Sequence, residues 1–147
     1  MNTLVIGGTR FIGPHVVGAL VNAGHQVAVF NRGQSNVKLP HAVTRIVGDR
    51  RELPQFVKQF KRFSPEIVID LIAYTEEDAM SLLRSIKGIA RQVVVVSSAD
   101  VYRAYDRWRK AFSGPLEPVP LTEDAPFRNT LYPYRHIAKG TEDWLYL

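Results

Sequence analysis

Apolar positions along the chain follow two periods in turn. Residues 4–6, 26–30, 42–47, 67–72 and 92–96 are short runs dominated by Val, Ile and Leu, the pattern of strands buried on both faces of a sheet. Between the runs, Ile12, Val16, Val17, Leu20 and Val21, then Leu53, Phe56, Val57 and Phe60, then Ala79, Leu82, Leu83 and Ile86 recur at helical spacing. This alternation predicts an α/β fold with a doubly wound parallel sheet covered by helices on both faces. The unbroken β-branched run 92–96 is expected to be a central strand.

Local punctuation agrees with these elements. Pro14 fits the first turn of the first helix and Gly24 stops it, while Lys87-Gly88 ends the third. Thr75-Glu76-Glu77-Asp78 supplies a cap and first-turn acids, so this acidic cluster reads as helix-start chemistry, and no metal site is expected. His15, His25, His41 and His136 have no metal-ligand spacing either. Asp49 and Glu52 have capping-box spacing, although Pro54 allows a later helix start. Lys58, Lys61 and Arg62 form a solvated face of the second helix. Asp70 lies inside an apolar run and needs a partner if buried, which spacing does not identify.

The candidate chemistry begins in the stretch from Leu4 to Gly13. A strand, a turn at Gly7-Gly8 and the start of a helix succeed one another, and the free amides and positive dipole end of that helix suit an anion such as a pyrophosphate. Gly7-Gly8-Thr9-Arg10-Phe11-Ile12-Gly13 resembles the Gly-x-x-Gly-x-x-Gly signature of the extended short-chain dehydrogenase/reductase superfamily, the NAD-dependent epimerase/dehydratase group. Arg10 stands where the second glycine is usual. This variant is similar to an atypical branch that includes chloroplast stem-loop RNA-binding proteins alongside reductases and epimerases. The resemblance spans nearly the whole chain and is strongest over 2–33 and 92–102.

The resemblance implies a Rossmann domain with Gly7, Thr9, Arg10, Phe11, Ile12 and Gly13 around the cofactor phosphates, and Arg10 could reach a phosphate or stay solvated. It implies Asp49 and Arg50 at the adenine end, with an equal alternative for Asp49 as a helix cap. Leu71, Ile72 and Ala73 would flank the nicotinamide half, with Ser97 beside it. Ser97-Ser98-Ala99-Asp100-Val101-Tyr102 resembles the family's Ser-Ser-x-x-Val-Tyr segment and sets Ser98 on the catalytic Ser/Thr, where a hydroxyl polarises a substrate carbonyl or alcohol. The alternative is a serine that caps the segment beyond the strand.

Cofactor choice turns on the end of the second strand. An acid there would bind the 2′-hydroxyl of NAD, but the chain reads Phe30-Asn31-Arg32-Gly33, so NADP is the preferred expectation and NAD the second. A turn selected for its backbone is the competing explanation of Asn31 and Gly33.

Beyond Tyr102 the alternation fades. The Pro-Val-Pro-Leu-Thr-Glu-Asp-Ala-Pro stretch resembles the family's approach to its catalytic Tyr-x-x-x-Lys, but no such pair occurs: His136 and Ala138 stand at the lysine offset from Tyr132 and Tyr134, and Lys139 comes one residue later still. The expectation is that the chain stops short of that motif, of the last strand and of the substrate domain, leaving residues 1–147 as one NAD(P)-binding domain. On its own it would bind cofactor without turnover, and its open sheet edge would favour a homodimer. Tyr146 could begin a motif whose lysine is missing.

Composition adds few constraints. With 147 residues, 46% hydrophobic and 22% charged, the chain is long enough to build a core without staples. The lack of cysteine excludes disulfides and thiolate metal sites. No apolar run is long enough to cross a membrane and no signal peptide precedes the first strand, so a cytoplasmic location is expected. A net charge of +5 favours anionic partners, which include dinucleotides and RNA. Tyr102, Tyr105 and Trp108 interleaved with Arg103, Arg107, Arg109 and Lys110 could stack on RNA, or could pack against protein. The substrate classes implied by the resemblance are sugar nucleotides and small carbonyl compounds, and a non-catalytic dinucleotide sensor is the competing class.

Overall fold

The computed structural model describes residues 1–108 and 113–130. The chain divides into two compact units, Met1–Val96 and Ser97–Leu147. The first contains β1 (Asn2–Ile6), α1 (Gly13–Asn22), β2 (Gln26–Asn31), β3 (Thr44–Val47), a 3₁₀ segment (Arg50–Phe56), α2 (Val57–Phe63), β4 (Ile67–Asp70), α3 (Glu76–Ile86) and β5 (Gln92–Val95). Its strands form one parallel sheet in the order β3-β2-β1-β4-β5. This is the Rossmann arrangement. The order reverses between β1 and β4, so the connections leaving these neighbours diverge and open a crevice at their carboxyl ends.

Alternation along the strands separates the core into two faces. Leu4 and Ile6 of β1 join Ala28, Phe30, Val68, Phe60, Leu82 and Ile86 on one side, and Val5 joins Val17, Val27 and Val29 on the other. Phe30 anchors the first cluster, meeting Phe56 edge to face at 4.9 Å and Phe60 at 5.5 Å between ring centres. On the second face, Leu20 and Val21 of α1 complete the packing. The helix ends on Gly24, whose φ of 80° lets its amide turn back to the Val21 carbonyl.

Several elements differ from the periodic pattern. The stripe Leu53, Phe56, Val57 and Phe60 is divided between the 3₁₀ segment and α2 because Glu52 leaves helical geometry and Pro54 comes soon after it. Ile12 lies at the helix boundary and is exposed, and so is Leu83. Ser85 takes the inward position on α3, and its hydroxyl donates to the Ser81 carbonyl at 2.8 Å. β5, expected at the centre, is an edge strand among the described residues, with Val94 and Val95 partly exposed.

In the second unit a 3₁₀ segment (Ala99–Val101) leads into α4 (Arg103–Trp108). Tyr102 bridges and stacks on Phe127, Arg103 pairs with Glu117 at 2.6 Å, and Arg128 pairs with Asp100 at 2.8 Å. No helix among the described residues is long and apolar enough to cross a membrane.

Gly48 gives a direct test of the packing. A Cβ there would stand 2.2 Å from the Phe56 ring, which is itself wedged against Phe30. Gly48→Ala is therefore expected to lower stability by about 1–3 kcal/mol through overpacking. Urea unfolding should show a reduced midpoint with an unchanged slope.

Candidate functional site

The carboxyl ends of β1, β2, β3 and β4 bring most of the candidate residues together. Gly7 and Gly8 have φ of 100° and 77°, a conformation open to glycine that turns the chain from β1 toward α1. A Cβ on Gly13 would lie 2.6 Å from the backbone of Gly8, so the helix approaches the turn as closely as its backbone allows. A Cβ on Gly7 would meet Ile72 Cγ2 at 3.2 Å, which brings the residues after β4 against the turn. No side chain caps α1 and no acid lies in its first turn, so among the described residues nothing in that turn competes with an anion for the positive end.

Phe11 has a φ of 51° and is 91% exposed, an unusual combination for an aromatic residue. Arg10 is exposed and Thr9 half-buried. The Thr9 carbonyl accepts a hydrogen bond from Ser35 Oγ at 3.2 Å, and Ser35 Oγ accepts one from the Val37 amide at 3.3 Å. Ser35 therefore ties the glycine turn to the loop after β2. Sequence reasoning missed it because a serine in a polar connection carries no periodic signal.

In Asn31-Arg32-Gly33 the turn expected for its backbone is present. Asn31 Oδ1 accepts from the Gly33 amide at 2.7 Å and Gly33 has a φ of 71°, which makes a side-chain-closed turn. The turn displays Arg32, which is exposed. It has no hydrogen bond or ion pair among the described residues, although its charge acts on Asp49.

Asp49 caps the 3₁₀ segment, accepting from the Arg51 amide at 2.9 Å and from the Arg51 guanidinium at 2.8 Å. The anticipated reciprocal box with Glu52 is replaced by this Arg51 fork, because Glu52 is not helical. The hydrogen bonds from Arg51 pull the Asp49 pKa from 3.8 down to about 2.

Arg50 lies in a different setting from the other candidates. Expected beside the cofactor, it is buried, and its guanidinium is taken up by Asp70 and by Asp78, the latter at 2.7 Å. Asp70 thus finds the partner that sequence could not supply, and its other oxygen accepts from the Ile72 amide at 2.9 Å. Burial still pushes the Asp70 pKa up, with the Ile72 amide and Arg50 opposing it. Asp78 closes a capping box with Thr75 at the start of α3, as the Thr-Glu-Glu-Asp pattern predicts. Leu71, Ile72 and Ala73 are half-buried between these anchors.

Ser97 and Ser98 belong to the second unit and are exposed. Ser98 caps the segment after it, its oxygen accepting from the Asp100 amide at 3.2 Å. That is the capping alternative, and an oxygen used as an acceptor keeps its O–H to donate. Of the residues considered for RNA, Tyr102 pairs with Phe127, Arg103 with Glu117, and Tyr105 meets Trp108 edge to face. Arg109, Lys110, Tyr132, Tyr134, His136, Ala138, Lys139 and Tyr146 lie outside the described residues.

A parallel sheet with this strand order and a glycine turn at its switch point defines a Rossmann domain. The profile of the NAD dependent epimerase/dehydratase family matches residues 3–145, and the chain belongs to that family. It is 35% identical over 123 residues to 2'-dehydrokanamycin reductase of Streptomyces kanamyceticus, covering 84% of this chain and 32% of the reductase. It is 29% identical over 116 residues to a chloroplast stem-loop binding protein of Arabidopsis thaliana, covering 70% of this chain and 30% of that protein. The structure of UDP-glucose 4-epimerase from Bifidobacterium longum, in complex with NAD+ and UDP, superposes with a TM-score of 0.70 at 24% identity, over 88% of this chain and 43% of the epimerase. The chain thus spans less than half the length of each of these three proteins.

Asp49 gives the acid limb of stability a molecular origin. Because its folded pKa lies below 3.8, the group stabilises the fold above that value and loses the contribution as pH falls toward about 2. Asp49→Asn should flatten this part of the profile, a small effect at a partly solvated site. Melting temperatures of both proteins, taken between neutral pH and the acid limb, should converge as pH falls.

Proposed function

We propose that the first unit binds a nicotinamide dinucleotide, NADP in preference to NAD, and that the protein uses it in an epimerase, dehydratase or reductase reaction on a sugar nucleotide or a small carbonyl compound. The observation that carries this reading is the convergence, at the carboxyl ends of the adjacent strands β1 and β2, of the glycine turn, the uncapped start of α1 and the Arg32 turn. In this reading the amides around Gly7–Gly13 hold the pyrophosphate. Arg10 adds charge there, and Arg32 pairs with the 2′-phosphate. The adenine end lies toward Asp49, and Leu71 to Ala73 form apolar walls for the nicotinamide half. Arg50 is not included, since its charge is matched by Asp70 and Asp78.

Bound there, the nicotinamide ring supplies the hydride donor or acceptor. Ser98, with Ser97 beside it, has the role of donating its O–H to a substrate oxygen and stabilising charge that develops on it. The reading also favours a cytoplasmic protein and self-association through the β5 edge, where Val94 and Val95 are partly exposed.

A second reading draws on the stem-loop binding relative and the basic charge: a protein that retains RNA, with or without dinucleotide sensing. Salt-sensitive RNA retention that competes with cofactor would favour it over catalysis.

Calorimetry with NADP and NAD tests the first reading. Arg32→Ala should weaken NADP binding by about 1.5–3 kcal/mol, the scale of a hydrogen bond to a charged group, and leave NAD nearly unchanged. Equal losses for both cofactors would remove the 2′-phosphate assignment.

The role of Ser98 is tested by turnover, on sugar-nucleotide and small carbonyl substrates, of a longer protein that carries these residues together with a Tyr-x-x-x-Lys pair, the 147 residues alone being expected to show at most weak turnover. Ser98→Ala should lower kcat on the order of 10²–10³-fold with little change in dinucleotide affinity. An unchanged kcat would leave Ser98 as a cap alone.

A further inference from the structure

Arg50 joins two places far apart in sequence. One carboxylate it holds, Asp70, ends β4, and the other, Asp78, lies in the first turn of α3. Both carboxylates also accept backbone amides from the intervening segment. Asp70 Oδ1 takes the Ile72 amide at 2.9 Å, and Asp78 Oδ2 takes those of Tyr74 at 3.0 Å and Thr75 at 3.1 Å. The 71–75 connection is thus gripped at both ends by groups whose orientation a single guanidinium sets. Within it, Ile72 is the side chain packed against the Gly7 position of the glycine turn.

A simple ion pair does not require this arrangement. Each carboxylate divides its two oxygens between Arg50 and the loop backbone, so a rotation that satisfied one partner would release the other. Arginine suits the task because its planar fork presents two nitrogens at fixed separation, which a lysine ammonium cannot reproduce. Dryness adds to the demand. Asp70 is fully buried and Arg50 nearly so, and in such surroundings an unmatched charge is costly.

We propose that Arg50 is a positioning residue for the dinucleotide site: by holding Asp70 and Asp78 together it fixes the 71–75 connection as the wall facing the glycine turn, without touching the ligand. The inference rests on the proposed dinucleotide binding. It gives a buried cation beside the site a role in affinity for both NAD and NADP, since the wall it sets lies away from the 2′-phosphate.

The test combines two readouts on the whole chain. Hydrogen exchange of the Ile72, Tyr74 and Thr75 amides reports the grip with no ligand present, and calorimetry with NAD and NADP reports its consequence. Arg50→Met should speed exchange at these three amides and weaken both dinucleotides by about tenfold, the scale of a modest coupling between non-contacting groups. Arg50→Lys should restore charge balance but only part of the protection. Because Arg50→Met leaves Asp70 buried without its partner and can fail to fold, the double variant Arg50→Met/Asp70→Asn removes both charges from the interior. It should regain the melting temperature while still binding weakly. Arg84→Met, which breaks the exposed pair with Glu77 on the same helix, should change neither readout.

Wild-type affinity in a double variant that melts like the parent would overturn the proposal, as would unchanged exchange at the three amides in a folded Arg50→Met protein. If the unaltered chain binds neither dinucleotide, the dinucleotide reading falls. The exchange rates distinguish that failure from a failure of the grip, because they are measured on the free protein.

Discussion

The close approach of α1 to the end of β1 is the constraint on which the first unit depends. Two glycines make it possible, Gly8 in the turn and Gly13 at the start of the helix, and a single Cβ on Gly13 would collide with the Gly8 backbone. With the helix drawn in this far, Val17 reaches full burial among Val5, Val27 and Val29, all small β-branched side chains that fill a shallow space. A longer approach distance would leave that face underpacked. The same contact aims the open end of the helix at the crevice, so one steric condition serves both the core and the site.

The two sides of the crevice are built from different forces. On the α1 side, backbone meets backbone and apolar side chains close the gap. On the other side one buried cation, Arg50, is shared by two carboxylates, Asp70 and Asp78, and the Thr75 cap is folded into the same network. The first arrangement is indifferent to ionic strength. The second is protected from salt by burial yet intolerant of losing Arg50, the cation that two carboxylates share and that the backbone amides on them do not replace. A wall held by packing and a wall held by charge therefore face each other across the cleft.

Much of this is legible in the sequence, and the exceptions share a physical cause. The strands stand out because β-branched runs of four to six residues have few other uses, although β3 begins at Thr44 rather than at residue 42, Ala42 being exposed. The glycine turn and the Thr75 cap are readable because local geometry restricts which residues can occupy them. The role of Arg50 is hidden because its partners are long-range, one of them 20 residues away, and an ion pair between distant segments leaves no period. Ser35 escapes for the same reason. In Asn31-Arg32 and at Ser98, the local and the ligand-directed readings compete in sequence, whereas the structure assigns the local role to some atoms and leaves others available.

The sheet has two unlike margins. At β3, Thr44 and Arg45 are exposed, and the Arg45 guanidinium donates to the Val37 carbonyl, a charged border of the kind that discourages pairing. At β5 the border is Gln-Val-Val-Val, uncharged and partly bare. Among the described residues both outer strands pair on one side alone, and the two margins differ in the charge they carry. A strand laid against β3 would have to pass the Arg45 guanidinium, whereas one laid against β5 would meet no charged side chain along Gln92–Val95.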